Sequence, residues 1–238
     1  DIGRNKARQN EDYIWVDDQI GLYIVADGMG GHDAGDVASQ LAATTAGETV
    51  IDQLVEIGQD PSDDIIKGVL LNAAEAANQA VYQAAHRAEQ KRKMGTTIVM
   101  TLITATTAYV SHAGDSRAYR VRNATITQLT EDDSWSTFVR QSSGSERSNP
   151  TLEPILTKAV GQDVSLDPSF SQVEILPGDV ILLCSDGLWN MVDNDQILAE
   201  VTKSGDQVEQ AVHNLVAAAN AAGGKDNISV VVIKILSS

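Results

Sequence analysis

Ile24-Val25-Ala26-Asp27-Gly28-Met29-Gly30-Gly31-His32 is an apolar run that ends on an acid and then turns on three glycines in four positions. A strand stopping on a carboxylate before a glycine turn holds the acid at a sheet edge, where backbone can come close to a ligand. The design returns downstream as Val180-Ile181-Leu182-Leu183-Cys184-Ser185-Asp186-Gly187. A weaker copy is Ala108-Tyr109-Val110-Ser111-His112-Ala113-Gly114-Asp115-Ser116-Arg117. Three strand-end aspartates from distant parts of one chain point to one metal site.

Upstream of this stretch, residues 13–16 and 22–26 are short apolar runs around Asp17-Asp18-Gln19-Ile20-Gly21, which reads as a β-hairpin. Its geometry sets Asp12 beside Asp27, because a short turn brings the start of one antiparallel strand next to the end of the other. Downstream the period changes. Val37, Leu41, Thr45 and Thr49 recur at helical spacing from Gly35 to about residue 55. Pro61-Ser62-Asp63-Asp64 opens a second helix, with Ile65, Val69, Ala73, Ala76, Ala80, Ala84 and Ala88 on one side. Alanine at that spacing lets another helix approach closely, so the two are expected to pair over a sheet.

Residues 95–129 read as a β-meander with turns at Gly114-Asp115 and Asn123-Ala124. Residues 130–154 are polar and read as a mobile surface segment, and 155–160 as a short helix. Strands follow over 170–175 and 180–184, helices over 194–201 and 207–222, and an apolar strand over 228–235. Strands in succession imply antiparallel sheets, and helices in pairs imply outer layers. No Walker A sequence, dinucleotide fingerprint or internal repeat interrupts this order.

The bulk properties narrow the function. The 238 residues are 42% apolar, enough for a sizeable core, and the net charge is −16. That charge excludes non-specific nucleic-acid binding, which needs a basic face. It suits a collector of hard divalent cations, and equally a plain acidic surface. The single cysteine, Cys184, permits no internal disulfide and fits a reducing compartment. No apolar stretch is long enough to span a bilayer. The chain does not begin with Met, and we expect the cytoplasmic domain of a longer protein.

Asp27, Asp115, Asp186 and Asp226 sit where a strand meets a turn, and Asp12 stands just before a strand. Carboxylates gathered this closely are unfavourable without cations among them. Oxygen ligands select Mg²⁺ or Mn²⁺, and two such ions can acidify a shared water and aim it at phosphorus. An arginine nearby would clamp the phosphate. From the residues alone this is a binuclear phosphoester hydrolase; the competing reading makes these acids turn formers or helix caps.

Eight motifs, in order, resemble the metal-dependent protein phosphatases of the 2C type, the PPM family, in their bacterial form. They are Asn10-Glu11-Asp12, Val25-Ala26-Asp27-Gly28-Met29-Gly30-Gly31-His32, Gly95-Thr96-Thr97, Gly114-Asp115-Ser116-Arg117-Ala118-Tyr119, Leu129-Thr130, Pro177-Gly178-Asp179, Cys184-Ser185-Asp186-Gly187-Leu188-Trp189 and Gly224-Lys225-Asp226-Asn227. The resemblance implies an α+β fold, a four-layer α-β-β-α sandwich of two antiparallel sheets flanked by helix pairs. It implies one catalytic domain over residues 1–238 with a flap at about 130–160. The activity it implies is hydrolysis of phosphoserine and phosphothreonine by a water bridging two Mn²⁺ or Mg²⁺ ions, with a third, weaker ion in bacterial members.

Carried over by position, Asp27 bridges the two core metals and the Gly28 carbonyl binds one of them. Asp186 and Asp226 bind the first metal, Asp12 organises the shell of the second with Glu11 acting through water, and Asp115 binds the third. Arg8, or else Arg4, clamps phosphate. Asp27, Asp115 and Arg8 are the expected catalytic residues. The implied partners are phosphoprotein substrates of a Ser/Thr kinase; no nucleic acid is expected, and the chain is expected to be a monomer in the cytoplasm.

Three positions depart from the family pattern. The clamping arginine usually stands at the place of Ala7, and Arg8 is one residue away. Asp133 stands where a histidine is common. Asn190 replaces an acid that in some members serves the third metal. His32 reads as structural, and the histidine of eukaryotic members falls at Met29, so Asp115 with its water becomes the candidate for protonating the leaving group. His86, His112 and His213 read as fillers, Cys184 as a buried, unreactive thiol, and Trp135, Phe138 and Arg140 as lid contacts. Two other functions are to be weighed. A phosphoprotein-binding pseudophosphatase would be expected to have lost Asp27, Asp186 or Asp226, and none is lost; a hydrolase of small phosphoesters would keep them all.

Overall fold

The computed structural model describes residues 1–4, 9–30, 34–58, 60–87, 94–135, 137 and 155–237. Two antiparallel sheets face each other. The first runs β1 (Asp12–Asp17), β2 (Leu22–Met29), β4 (Ile98–Ile103), β5 (Thr107–Ala113) and β8 (Ser169–Glu174), with the two-residue β3 (Gly95–Thr96) also on β2. The second runs β10 (Val230–Lys234), β9 (Val180–Cys184), β6 (Arg117–Arg122) and β7 (Thr125–Gln128). Helices α1 (Gly35–Ile57) and α2 (Asp63–Arg87) cover the first sheet. A one-turn helix α3 (Asp186–Trp189), α4 (Asn194–Ser204) and α5 (Val208–Ala221) cover the second.

Alternation along single strands builds the four layers. In β2, Leu22, Ile24 and Ala26 pack under α1 and α2, while Val25 points to the other sheet. In β9, Val180, Leu182 and Cys184 pack under α4 and α5, while Ile181 and Leu183 meet Val25, Val99 and Val110 across the gap. A strand buried on both faces reads as an unbroken apolar run. This is why residues 180–184 were readable as a strand but not as belonging to either sheet.

Four expectations need correction. Residues 95–129 are not one meander: β4–β5 lie in the first sheet and β6–β7 in the second, the chain changing sheets at Gly114, whose φ of +106° favours glycine. The helix faces are also shifted. Val37 and Ile65 are 46% and 43% exposed, whereas Ala38, Ala42, Ala43 and Ala46 of α1 and Ile66, Leu70, Ala74 and Ala77 of α2 are buried; of the expected α2 face, Val69 and Ala73 are buried as expected. Small side chains let the two helices close on the sheet, and they carry less hydrophobicity than the exposed valine and isoleucine that drew the pattern.

Residues 155–160 form no helix. Val160 exchanges both main-chain hydrogen bonds with Thr96, and Leu156 bridges Ser134, so donors that a helix would use internally go to neighbouring segments. The fourth correction concerns Asp186. It opens helix α3 rather than an open turn, with Ser185 in extended conformation before it. The expected mobile segment at 130–154 falls largely outside the described residues.

Candidate metal centre

The hairpin forms the floor of the site. Its register pairs Asp12 with Asp27. Main chain fixes Asp27: its N–H donates to Thr97 Oγ1 at 3.0 Å, and its carbonyl accepts from the Thr97 N–H and from Thr96 Oγ1, each at 2.9 Å. Thr97 Oγ1 also meets Ser116 Oγ at 2.7 Å, tying this end of β2 to the turn that carries Asp115.

One hydroxyl joins the two sheets. Ser185 Oγ donates to Asp12 Oδ2 at 2.9 Å and accepts from the Ser229 N–H at 3.0 Å. The Asp226 loop is held just as closely. Asn227 Oδ1 accepts from the Glu11 N–H at 2.8 Å, and Asp226 Oδ1 accepts from the Asn227 N–H at 2.6 Å. The first residues of the chain run along this loop. Asp1 and Ile228 exchange both main-chain bonds, at 2.9 and 2.8 Å, and the Arg4 N–H donates to the Gly224 carbonyl at 2.7 Å.

Asp27, Gly28, Asp115, Asp186 and Asp226 line one cavity of about 450 Å³, with Glu11, Thr97, Met29 and Leu156 also on its walls. Asp12 lies beneath, 8% exposed. At Gly28 a Cβ would stand 2.1 Å from the Gly35 carbonyl oxygen and 2.5 Å from that of Glu11, so close backbone packing requires glycine here.

Charge is crowded. Burial pushes the Asp27 carboxyl well above the ordinary range, and the charges of Asp12, Asp186, Asp226 and Asp115 push it further. Burial also raises Asp12, with Asp226 adding to it. Asp115 is pushed up to about 7 by burial and then by Asp186 and Asp132. Among the described residues, Asp12 Oδ1 is buried without a hydrogen-bond partner. Mutual repulsion, an unsatisfied carboxylate oxygen and an all-oxygen donor set fit a hard divalent cation. No three His, Cys, Asp or Glu side chains among the described residues form a complete cage by themselves, so backbone and water oxygens would finish any shell, as Mg²⁺ and Mn²⁺ accept.

This crowding sets a pH dependence. Asp115 titrates near 7 when folded and near its ordinary 3.8 when unfolded. Between these values the folded chain holds a proton that the unfolded chain has released, so stability falls as pH rises. In EDTA, thermal unfolding is expected at progressively lower temperature from about pH 4 to about pH 7, and saturating Mn²⁺ should remove the trend. Scanning fluorimetry across that range checks it, and a flat profile in EDTA would contradict the crowding.

The protein phosphatase 2C family model matches residues 2–222. The chain belongs to the protein phosphatase 2C family. It is 32% identical over 240 residues to protein phosphatase PhpP of Streptococcus pneumoniae, covering 98% of this chain and 94% of that protein. It is 33% identical over 231 residues to the serine/threonine phosphatase PstP of Mycobacterium tuberculosis, covering 95% of this chain and 42% of PstP. A crystal structure of the PstP catalytic domain with two manganese ions superposes at a TM-score of 0.83, with 32% identity and coverage of 100% of this chain and 96% of that one. The four-layer α+β sandwich is therefore the fold of a phosphatase 2C domain.

Within that frame the departures take on structural meaning. Asn190 Nδ2 donates to Asp186 Oδ2 at 3.1 Å, so this position orients an acid instead of adding one. Asp133 accepts from the Gly114 N–H at 3.2 Å and pairs with Lys158 at 3.4 Å. Trp189 Nε1 donates to the Asp115 carbonyl at 2.9 Å, and Arg117 stacks 3.6 Å from the Trp189 ring while gripping Asp132 with two bonds.

Arg4 is exposed, beside the Asp226 loop through its main chain. Arg8, His32, Phe138 and Arg140 lie outside the described residues. His86 and His213 are exposed, while His112 is buried against the Glu131 carbonyl at 2.9 Å. Burial drives the Cys184 thiol far up, which suits packing and not attack. Thr97, Ser185 and Asn227 are the supports that sequence reasoning missed. Each lay inside a quoted motif, but a hydroxyl or amide announces no role until its partner is known.

Proposed function

We propose that the chain hydrolyses phosphoserine and phosphothreonine in proteins, using two Mn²⁺ or Mg²⁺ ions. The observation that carries this is the convergence of Asp27, Asp115, Asp186 and Asp226 on one cavity with Asp12 beneath it. Bound there, the ions supply Lewis acidity and a water acidic enough to attack phosphorus at neutral pH. In this reading Asp27 would serve both ions, Asp186 and Asp226 would hold the first, the Gly28 carbonyl would bind one of the two, and Asp12, with Glu11 through water, would order the shell of the second. Asp115 holds a further, weaker ion. A water held beside Asp115 is the candidate to pass a proton to the leaving seryl or threonyl oxygen. Arg8 clamps the phosphate oxygens, and Arg4 takes that part if Arg8 does not.

We read residues 1–238 as one catalytic domain with its flap at about 130–160, acting as a monomer in the cytoplasm on phosphoproteins made by a Ser/Thr kinase. No helix among the described residues is long and apolar enough to cross a membrane.

The experiment is hydrolysis of p-nitrophenyl phosphate with Mn²⁺ and with EDTA, followed by a phosphopeptide panel. Turnover that needs the metal and extends to phosphopeptides is the expected result. Phosphopeptide binding without turnover would instead leave a pseudophosphatase, and turnover confined to the small ester a small-phosphoester hydrolase. Arg8→Ala should raise KM about tenfold with a smaller change in kcat, as loss of a ground-state clamp does. An unchanged KM moves the role to Arg4, where the same substitution is then read.

A further inference from the structure

The turn that carries Asp115 is held by a residue outside the carboxylate cluster. Asp133 closes on Gly114 from both sides: its N–H donates to the Gly114 carbonyl at 2.9 Å, and its Oδ2 accepts from the Gly114 N–H at 3.2 Å. Gly114 has little room to move otherwise. A Cβ there would lie 2.7 Å from Thr97 Cγ2, against the same threonine that fixes Asp27.

Asp133 is anchored in turn. Its carbonyl accepts from the Thr157 N–H at 2.8 Å, and its Oδ1 faces Lys158 Nζ at 3.4 Å; the same ammonium reaches Ser169 Oγ on β8 at 3.3 Å. The Trp135 N–H donates to the Ile155 carbonyl at 2.8 Å. Residues 133–135 and 155–157 thus form a short two-sided root, and that root is bonded to the peptide immediately before Asp115.

We infer that Asp133 is a positioning residue that sets the Asp115 carboxylate through the two peptides flanking Gly114, with Lys158 holding Asp133 in place. The inference rests on the reading of Asp115 as a metal ligand. The Gly114 N–H lies in the peptide before the glycine and its carbonyl in the peptide shared with Asp115, so bonds at both hold the two torsions of the glycine and the direction in which the Asp115 side chain leaves. Without the Asp133 carboxylate only the main-chain bond to the carbonyl remains, the peptide before Gly114 is free to tilt, and the placing of Asp115 loosens. Supports of this kind commonly change metal affinity without touching the metal.

The test is calorimetric titration of the metal-stripped chain with Mn²⁺ alone. Asp115→Ala should weaken or remove one class of sites and leave the tighter class intact. Asp133→Ala should weaken that same class about tenfold, the low end of the cost of losing an outer support, with the tight class unchanged. Asp133→Asn should restore it, because the amide oxygen can still accept from Gly114. Should Asp133→Ala not fold, Lys158→Met serves in its place, since it removes the anchor without touching Gly114, and it too must weaken that class alone. A wild-type isotherm for the variant used, or equal loosening of both classes as a general structural role would give, overturns the inference while the reading of Asp115 stands. If Asp115→Ala alters no class, that reading falls and the inference with it.

Discussion

Asp27→Asn is expected to lower Mn²⁺-dependent kcat/KM on the order of 10³-fold, about 4 kcal/mol of transition-state stabilisation, while raising the thermal stability of the metal-free chain. The two effects share one cause. Asp27 faces the charges of Asp12, Asp186, Asp226 and Asp115, and burial together with those charges makes its ionised form costly. Asparagine keeps the shape and leaves the main-chain bonds to Thr96 and Thr97 in place, so the fold loses nothing. It removes the negative charge by which, in the proposed reading, Asp27 would serve both cations. Steady-state kinetics with Mn²⁺ and a melting curve in EDTA measure both halves. Activity and metal-free stability falling together would show structural damage and reject the assignment.

Gly187→Ala leaves every carboxylate in place and should still abolish the site. Gly187 lies in the one-turn helix that Asp186 opens, and a Cβ there would stand 1.9 Å from the Asn227 carbonyl oxygen. The Asp186 turn and the Asp226 loop therefore touch through the absence of a side chain. A methyl group drives the two backbones apart by about an ångström, at a cost of about 3 kcal/mol. For a chain of this length that lowers the melting temperature by roughly 10 °C. The separation also splits the pair proposed to share the first ion, so Mn²⁺ binding should weaken with it. Gly68→Ala is the control. No atom lies within 4 Å of its added Cβ, and alanine in a helix interior should stabilise by roughly 0.5–1 kcal/mol.

What the sequence disclosed depended on the span over which each signal acts. The Asp12–Asp27 pairing was readable because the turn between its strands is short enough to fix the register. The extents of α1 and α2 were readable from their flanking signals, but their buried faces only in part: Val69 and Ala73 are buried as expected, while Val37 and Ile65 drew the pattern away from the alanines that make most of the contact. The split of residues 95–129 between two sheets was hidden because strands buried on both sides alternate no differently in either one. The acids that meet at the cavity were legible because each stands near one end of an apolar run inside a recognisable motif. Their supports were not: Ser185 and Asp12 are 173 residues apart, and nothing local to either reveals the bond between them.

Asp1 to Ile228 is the longest of these reaches, and it bears on how the protein is made. In a growing chain Asp12 and Asp27 emerge about two hundred residues before Asp226. Asp226, Asn227 and the edge strand β10 follow every other strand of both sheets. Until then the second sheet lacks β10 and the cavity lacks the Asp226 wall. Synthesis therefore proceeds with the site incomplete, and a product that stops anywhere before Asp226 lacks one wall of it, however well its earlier layers have packed.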